Sequence, residues 1–130
     1  MTSTEAEVLR LVNVERASAG CSALQSNPVL VGVAREHSTD MGQHGYFAHN
    51  SQDGRSPFDR MRAAGYSGGL MGENIAAGQP TPAAVMDAWM HSEGHRANIL
   101  NCGFHVIGIG VANVAGSPYR IYWTQDFGDR

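Results

Sequence analysis

Apolar residues recur at helical spacing through the first two thirds of the chain and alternate with period two near its end. Val8, Leu9, Leu11 and Val12 form the first periodic run, preceded by Thr4 with Glu7 three residues later. That capping-box spacing predicts a helix from Thr4 to about Ala19, with Gly20 as its stop. Asn27-Pro28 predicts a second start, where Asn caps and Pro fits the first turn. Val29, Val33, His37 and Met41 then line one stripe that ends near Gly42. Ser56-Pro57 opens a short helix through Phe58, Met61 and Ala64 up to Gly65, and Thr81-Pro82 opens another that carries Val85, Met86 and Trp89.

From Phe104 to Val114 the pattern changes. Val106, Gly108, Gly110 and Ala112 fall on one side and Ile107, Ile109 and Val111 on the other, which is strand spacing. Tyr119 to Phe127 is rich in aromatic and β-branched residues, and Ala115-Gly116-Ser117-Pro118 between the two runs reads as a turn. An antiparallel hairpin follows. Helices first and strands last predict an α+β layered domain spanning residues 1–130, without repeated βαβ units or an interdomain linker.

Composition narrows the chemistry. The chain has 130 residues, a net charge of −3, and nine basic residues that are all Arg. A polyanion-binding surface needs a basic cluster to displace counterions, and these arginines are scattered, so no nucleic-acid partner is expected. Without Lys, Schiff-base and P-loop lysine chemistries are excluded. No stretch approaches the ~18–20 apolar residues of a membrane span. The polar N-terminus lacks the basic start and apolar run of a signal peptide.

Several local patterns suggest chemistry and fail on spacing. Ile107-Gly108-Ile109-Gly110 lacks the third glycine and following helix of a dinucleotide fingerprint, and reads as a strand with glycines for close packing. In His91-Ser92-Glu93-Gly94-His95 the acid stands two residues after the first His, about 200° around a helix, so the zinc-protease pattern is not met. Ser92 with nearby histidines and glutamates supplies the ingredients of a hydrolase triad, but no strained nucleophile elbow flanks it. His49, Glu73 and His95 each sit where an element should begin or end, the usual place for a site. His37, His44 and His105 read as structural or solvent-facing.

Phe47-Ala48-His49, Gly72-Glu73-Asn74-Ile75, Trp89-Met90-His91-Ser92 with Gly94-His95-Arg96-Ala97-Asn98-Ile99-Leu100, and Tyr122-Trp123-Thr124-Gln125-Asp126-Phe127-Gly128 resemble the motifs of the CAP superfamily. That group comprises cysteine-rich secretory, antigen 5 and pathogenesis-related 1 proteins, also called SCP-like extracellular proteins; the likeness is closest to its short bacterial branch and includes the opening Val12-Asn13-Val14-Glu15-Arg16. The resemblance implies a three-layer α-β-α sandwich with a central antiparallel sheet. It also implies a cavity where His49, His95 and Glu73 converge. The second acid of the eukaryotic branch falls on Ser92 here, so the full set of two His and two Glu is absent.

Two imidazoles that approach each other suit Zn²⁺, with a carboxylate to ligate or orient one of them. The expectation is therefore a groove of His49, Glu73, Ser92 and His95 that takes a small-molecule, lipid or peptide ligand, with a weak divalent-metal site, zinc first, at His49 and His95. The alternatives are an extracellular hydrolase using Ser92 or a metal-bound water with the two His and with Glu73 as acid or base, and a structural or adhesive cell-surface module. The resemblance further implies a Cys21–Cys102 disulfide and hence a secreted protein whose leader has been trimmed. A monomer is expected.

Overall fold

The computed structural model describes residues 1–130. Its elements are α1 (Ser3–Ser18), β1 (Gln25–Ser26), α2 (Pro28–His44), α3 (Pro57–Ala63), β2 (Met71–Ala77), α4 (Pro82–Met90), α5 (Glu93–Ile99), β3 (Val106–Asn113) and β4 (Ile121–Gly128). The sheet order is β1-β3-β4-β2. Its three long strands are antiparallel, and the two-residue β1 adds a parallel edge to β3. Helices α2 and α3 lie against one face, and α1, α4 and α5 against the other. This is the expected α+β sandwich.

Strand periodicity decides which residues meet which layer. Glu73, Ile75, Gly108, Gly110, Tyr122, Thr124 and Asp126 share one face through their register pairings. On the opposite face Ala76, Ile107, Ile109, Trp123 and Phe127 join Val8, Val12, Val85, Met86, Trp89 and Ile99 in the main apolar core. The glycines of β3 are needed by the first face. A Cβ on Gly108 would strike the backbone of Leu30 and Val31, and one on Gly110 the backbone of Ala34 and Arg35. Helix α2 therefore lies directly on β3, close enough for Ser38 Oγ to donate to Gly110 O at 3.0 Å.

Four expectations need correction. The first helix is capped by Thr2 and not by Thr4: Thr2 and Glu5 complete the capping box, and Glu5 also accepts from Arg35 at 2.6 and 2.8 Å. Glu7, the acid that would have served Thr4, pairs with Arg10 on the exposed face. Helix α2 runs past Gly42 to stop at Gly45, which takes the left-handed conformation (φ 67°). Gly42 stays inside the helix because a larger side chain would meet Val114 and Tyr122. Val29 is exposed, and Leu30 turns inward in its place. Finally, strands do not come last alone, since β2 lies between α3 and α4. Gly, Glu and Asn are poor strand formers, so β2 is dictated by its pairing with β4 and not by propensity.

Cys21 and Cys102 form a disulfide with Cα atoms 4.9 Å apart. Beside it, the fully buried Arg16 donates to the carbonyls of Ser22, Ile99, Asn101 and Phe104 at 2.8–3.0 Å. Bridge and guanidinium together bind the end of α1 to the segment between α5 and β3. No helix is long and apolar enough to cross a membrane.

Two stability measurements test this account. Gly108→Ala should cost roughly 3 kcal/mol or more by urea unfolding, the upper end of overpacking penalties, because the obstacle is helix backbone and cannot move aside. Replacing both cysteines by Ser should cost about 2–4 kcal/mol, the usual range for a bridge that closes a long loop.

Candidate functional site

The candidate residues gather at β2, the free edge of the sheet. Glu73 lies on the α2 side of this strand and its side chain is buried, with one oxygen to each of two neighbours. Oε2 meets His49 Nδ1 at 2.8 Å, and Oε1 accepts from Arg60 Nη2 at 2.8 Å. His49, on the loop between α2 and α3, keeps 50% of its side chain exposed, so its ring links buried carboxylate to solvent. The loop is held by the same arginine, whose Nη1 donates to His49 O at 2.7 Å and to Ser51 Oγ at 3.1 Å.

The other half of the site comes from α5. Ser92 is the N-cap of this helix, yet its hydroxyl makes no capping bond and lies 2.8 Å from His95 Nδ1. Helix α5 is tied to β2 through Asn74, which donates to His95 O at 3.0 Å, and Asn98, which donates to Glu73 O at 3.2 Å and to Asn74 Oδ1 at 2.9 Å. His95 is pushed below the ordinary histidine value, first by burial and then by the charge of His49. The two imidazoles therefore feel each other across the strand edge. His91, by contrast, is exposed and turns back to Asp87, and Glu93 is exposed.

Beneath Glu73 lies a group that the sequence patterns did not single out. Asp126 is the register partner of Glu73 on β4; it is fully buried, and its carboxyl group meets that of Glu73 and no other partner. Burial, and then the negative charge of Glu73, hold it well above the usual carboxylate range. For Glu73 burial acts in the same direction, but the His49 contact, Asp126 and the Arg60 charge outweigh it and leave the group below its ordinary value. Of the two facing acids, Asp126 keeps the proton and Glu73 the charge.

The comparisons with known proteins agree with these motifs. The profile of the CAP family, described as the cysteine-rich secretory protein family, matches residues 9–127. The chain belongs to the CAP family. YkwD of Bacillus subtilis (strain 168) is 46% identical over 127 residues, covering 98% of this chain and 48% of YkwD. The membrane protein YlbC of the same organism is 35% identical, covering 97% of this chain and 34% of YlbC. This CAP chain thus spans about half or less of the curated relatives it matches. Among solved structures, an extracellular protein containing an SCP domain from Bacillus anthracis superposes with a TM-score of 0.87 at 31% identity, covering 98% of this chain and 40% of that one. An outer surface protein from Borrelia burgdorferi gives the same TM-score at 21% identity, over 99% of this chain and 96% of its own length, and supports the fold alone.

The CAP motifs led to His49, Glu73, Ser92 and His95, and all four stand at the β2 edge. They did not point to Arg60, His37 or Asp126. A sequence signal existed only for Asp126, the one charged residue within the strand-like run Tyr122 to Phe127. Arg60 sits in a short helix with Arg62 beside it, and nothing in the local sequence sets it apart from the other arginines.

Protonated Asp126 has a consequence for stability. Its folded pKa is raised, so the folded protein holds a proton that the unfolded chain releases above about pH 4. Stability therefore falls as pH rises through that point. Asp126→Asn, which is neutral at every pH, should remove this slope. Urea unfolding should show the variant gaining on the parent as pH goes from 4 to 7, and a constant difference would contradict a neutral Asp126.

Proposed function

We propose that His49, Glu73, Ser92 and His95 form a ligand-binding groove of an extracellular CAP domain, for a small molecule, lipid or peptide, and that the two imidazoles hold a divalent metal, zinc first, weakly. One observation carries this reading. Each ring is oriented through Nδ1, His49 by Glu73 and His95 by Ser92, which leaves both Nε2 atoms available to a ligand. A carboxylate behind an imidazole is the usual second partner of a metal-bound histidine. Both oxygens of Glu73 are engaged by His49 and Arg60, so its role is to orient His49 and not to ligate directly.

No group of three or more His, Cys, Asp or Glu side chains is placed to hold a metal ion. Two nitrogen donors fit a weak, open site whose other positions belong to water or ligand. When bound, zinc would supply Lewis acidity to a ligand in the groove. The disulfide and the extracellular relative support a location outside the cytoplasm.

The hydrolase reading rests on the contact between Ser92 Oγ and His95 Nδ1. A triad also needs an acid on the far side of that histidine. Glu73 is committed to the other imidazole, so binding is the better-supported role.

Calorimetric zinc titration of the parent beside His49→Ala/His95→Ala tests the metal site. The parent should give heats that shrink as the solution is acidified and the imidazoles take up protons, because only neutral imidazole binds metal. The double variant should give none, and equal heats from both proteins would overturn the assignment.

A further inference from the structure

Arg60 has three directions of donation, and the candidate site uses two of them. Nη2 serves Glu73, and Nη1 serves the His49 carbonyl and Ser51. The third donor, Nε, is buried and has no partner, although the residue is only 7% exposed. A second buried nitrogen nearby is also unpartnered, Nδ1 of His37, in a residue only 1% exposed. Nε2 of His37 lies 2.8 Å from Ala48 O, an acceptor, so this nitrogen carries the ring hydrogen. Burial keeps the ring below the ordinary histidine value and hence neutral. His37 Nδ1 is thus a lone-pair acceptor, while Arg60 Nε–H is a donor.

Both residues line the cleft between α2 and α3. Its main chamber, about 180 Å³, is bounded by Val33, Glu36, Arg55, Arg60, Ala63 and Ala64. A smaller chamber of about 40 Å³ shares Glu36, Arg55 and Arg60 and adds His37, Asp40 and Ser51. One ordered water would satisfy the smaller chamber. The main one is larger than a water needs and below the roughly 300 Å³ of a drug-sized pocket. Its walls carry three kinds of surface: guanidinium groups from Arg60 and from Arg55, whose Nε donates to Asp53, a carboxylate from Glu36, and an apolar strip from Val33, Ala63 and Ala64.

We propose that this cleft is a second binding site, for a small zwitterion of the α-amino-acid type, on the side of Arg60 that faces away from Glu73. The carboxylate is taken by Arg60 Nε–H and the Arg55 guanidinium, a charge-assisted contact. The ammonium group is taken by the Glu36 carboxylate. A side chain of one or two carbons packs on Val33, Ala63 and Ala64, and a large side chain does not fit. A simple anion would meet Glu36, and a simple cation would meet two arginines, so a ligand with both charges is the one that matches the walls. The site is separate from the groove at His49 and His95 and does not depend on any metal there.

The test is an NMR titration of the whole chain with L-alanine, followed through the methyl groups of Val33, Ala63 and Ala64. Saturable shifts are expected at millimolar concentration, with acetate and methylammonium each at least about tenfold weaker, the loss expected when about 1.4 kcal/mol of contacts is removed. Glu36→Ala should weaken alanine binding about tenfold, and Ala63→Trp should abolish it by filling the chamber. Both positions are exposed, and circular dichroism checks that each variant is folded. Absence of saturable shifts would overturn the proposal. So would equal binding of acetate alone, or alanine binding unchanged in both variants. The zinc calorimetry involves none of these residues, so failure of one test leaves the other intact.

Discussion

The contact on which most of this structure depends is between the backbone of α2 and the two glycines of β3. Side chains normally hold a helix and a sheet about 10 Å apart, and here Gly108 and Gly110 remove them from the centre of the interface. Two consequences follow. Ser38 reaches both Gly110 O and Thr124 Oγ1, giving a polar clasp where an apolar layer would be expected. Asp126, paired with Gly108 in register, is fully buried beneath the helix. The protonation of Asp126 is thus set by two missing side chains on the neighbouring strand.

The polar interior then organises itself around one charge. Arg60 is a buried cation whose counterion is Glu73, and a buried pair of this kind is tolerable only when its remaining donors and acceptors are satisfied. The His49 ring and carbonyl, with Ser51, meet most of that requirement. A lysine could neutralise Glu73 but could not reach carboxylate, loop carbonyl and cleft together, because an ammonium lacks the flat, forked geometry. The Arg-only composition fits this demand at Arg60 and again at Arg16.

Much of the fold was legible. Three polar-Pro starts marked α2, α3 and α4, and the alternation of Val106 to Ala112 revealed β3 along with the glycines that would face a close neighbour. The first cap slipped by two residues because Thr2-Glu5 and Thr4-Glu7 have the same spacing, and only the tertiary partner Arg35 separates them. Strand β2 was illegible because its middle, Gly-Glu-Asn, is placed by tertiary hydrogen bonds and strand pairing, against its strand propensity. The four residues at the β2 edge were picked out through motifs and not through chemistry. Arg60 and Asp126 define the electrostatics of Glu73 from elements distant in sequence, and periodicity cannot report what a strand pairing will bring together.

Arg16 also bears on how the chain behaves when its disulfide is reduced. Its guanidinium gathers four carbonyls from both sides of the bridge, including Ser22, next to Cys21, and Asn101, next to Cys102. These contacts involve no sulfur, so reduction of the bridge removes none of them directly. The two thiols then remain neighbours at high effective concentration, so an oxidant meets a pre-aligned pair. The bridge is a lock on a joint that already closes by itself.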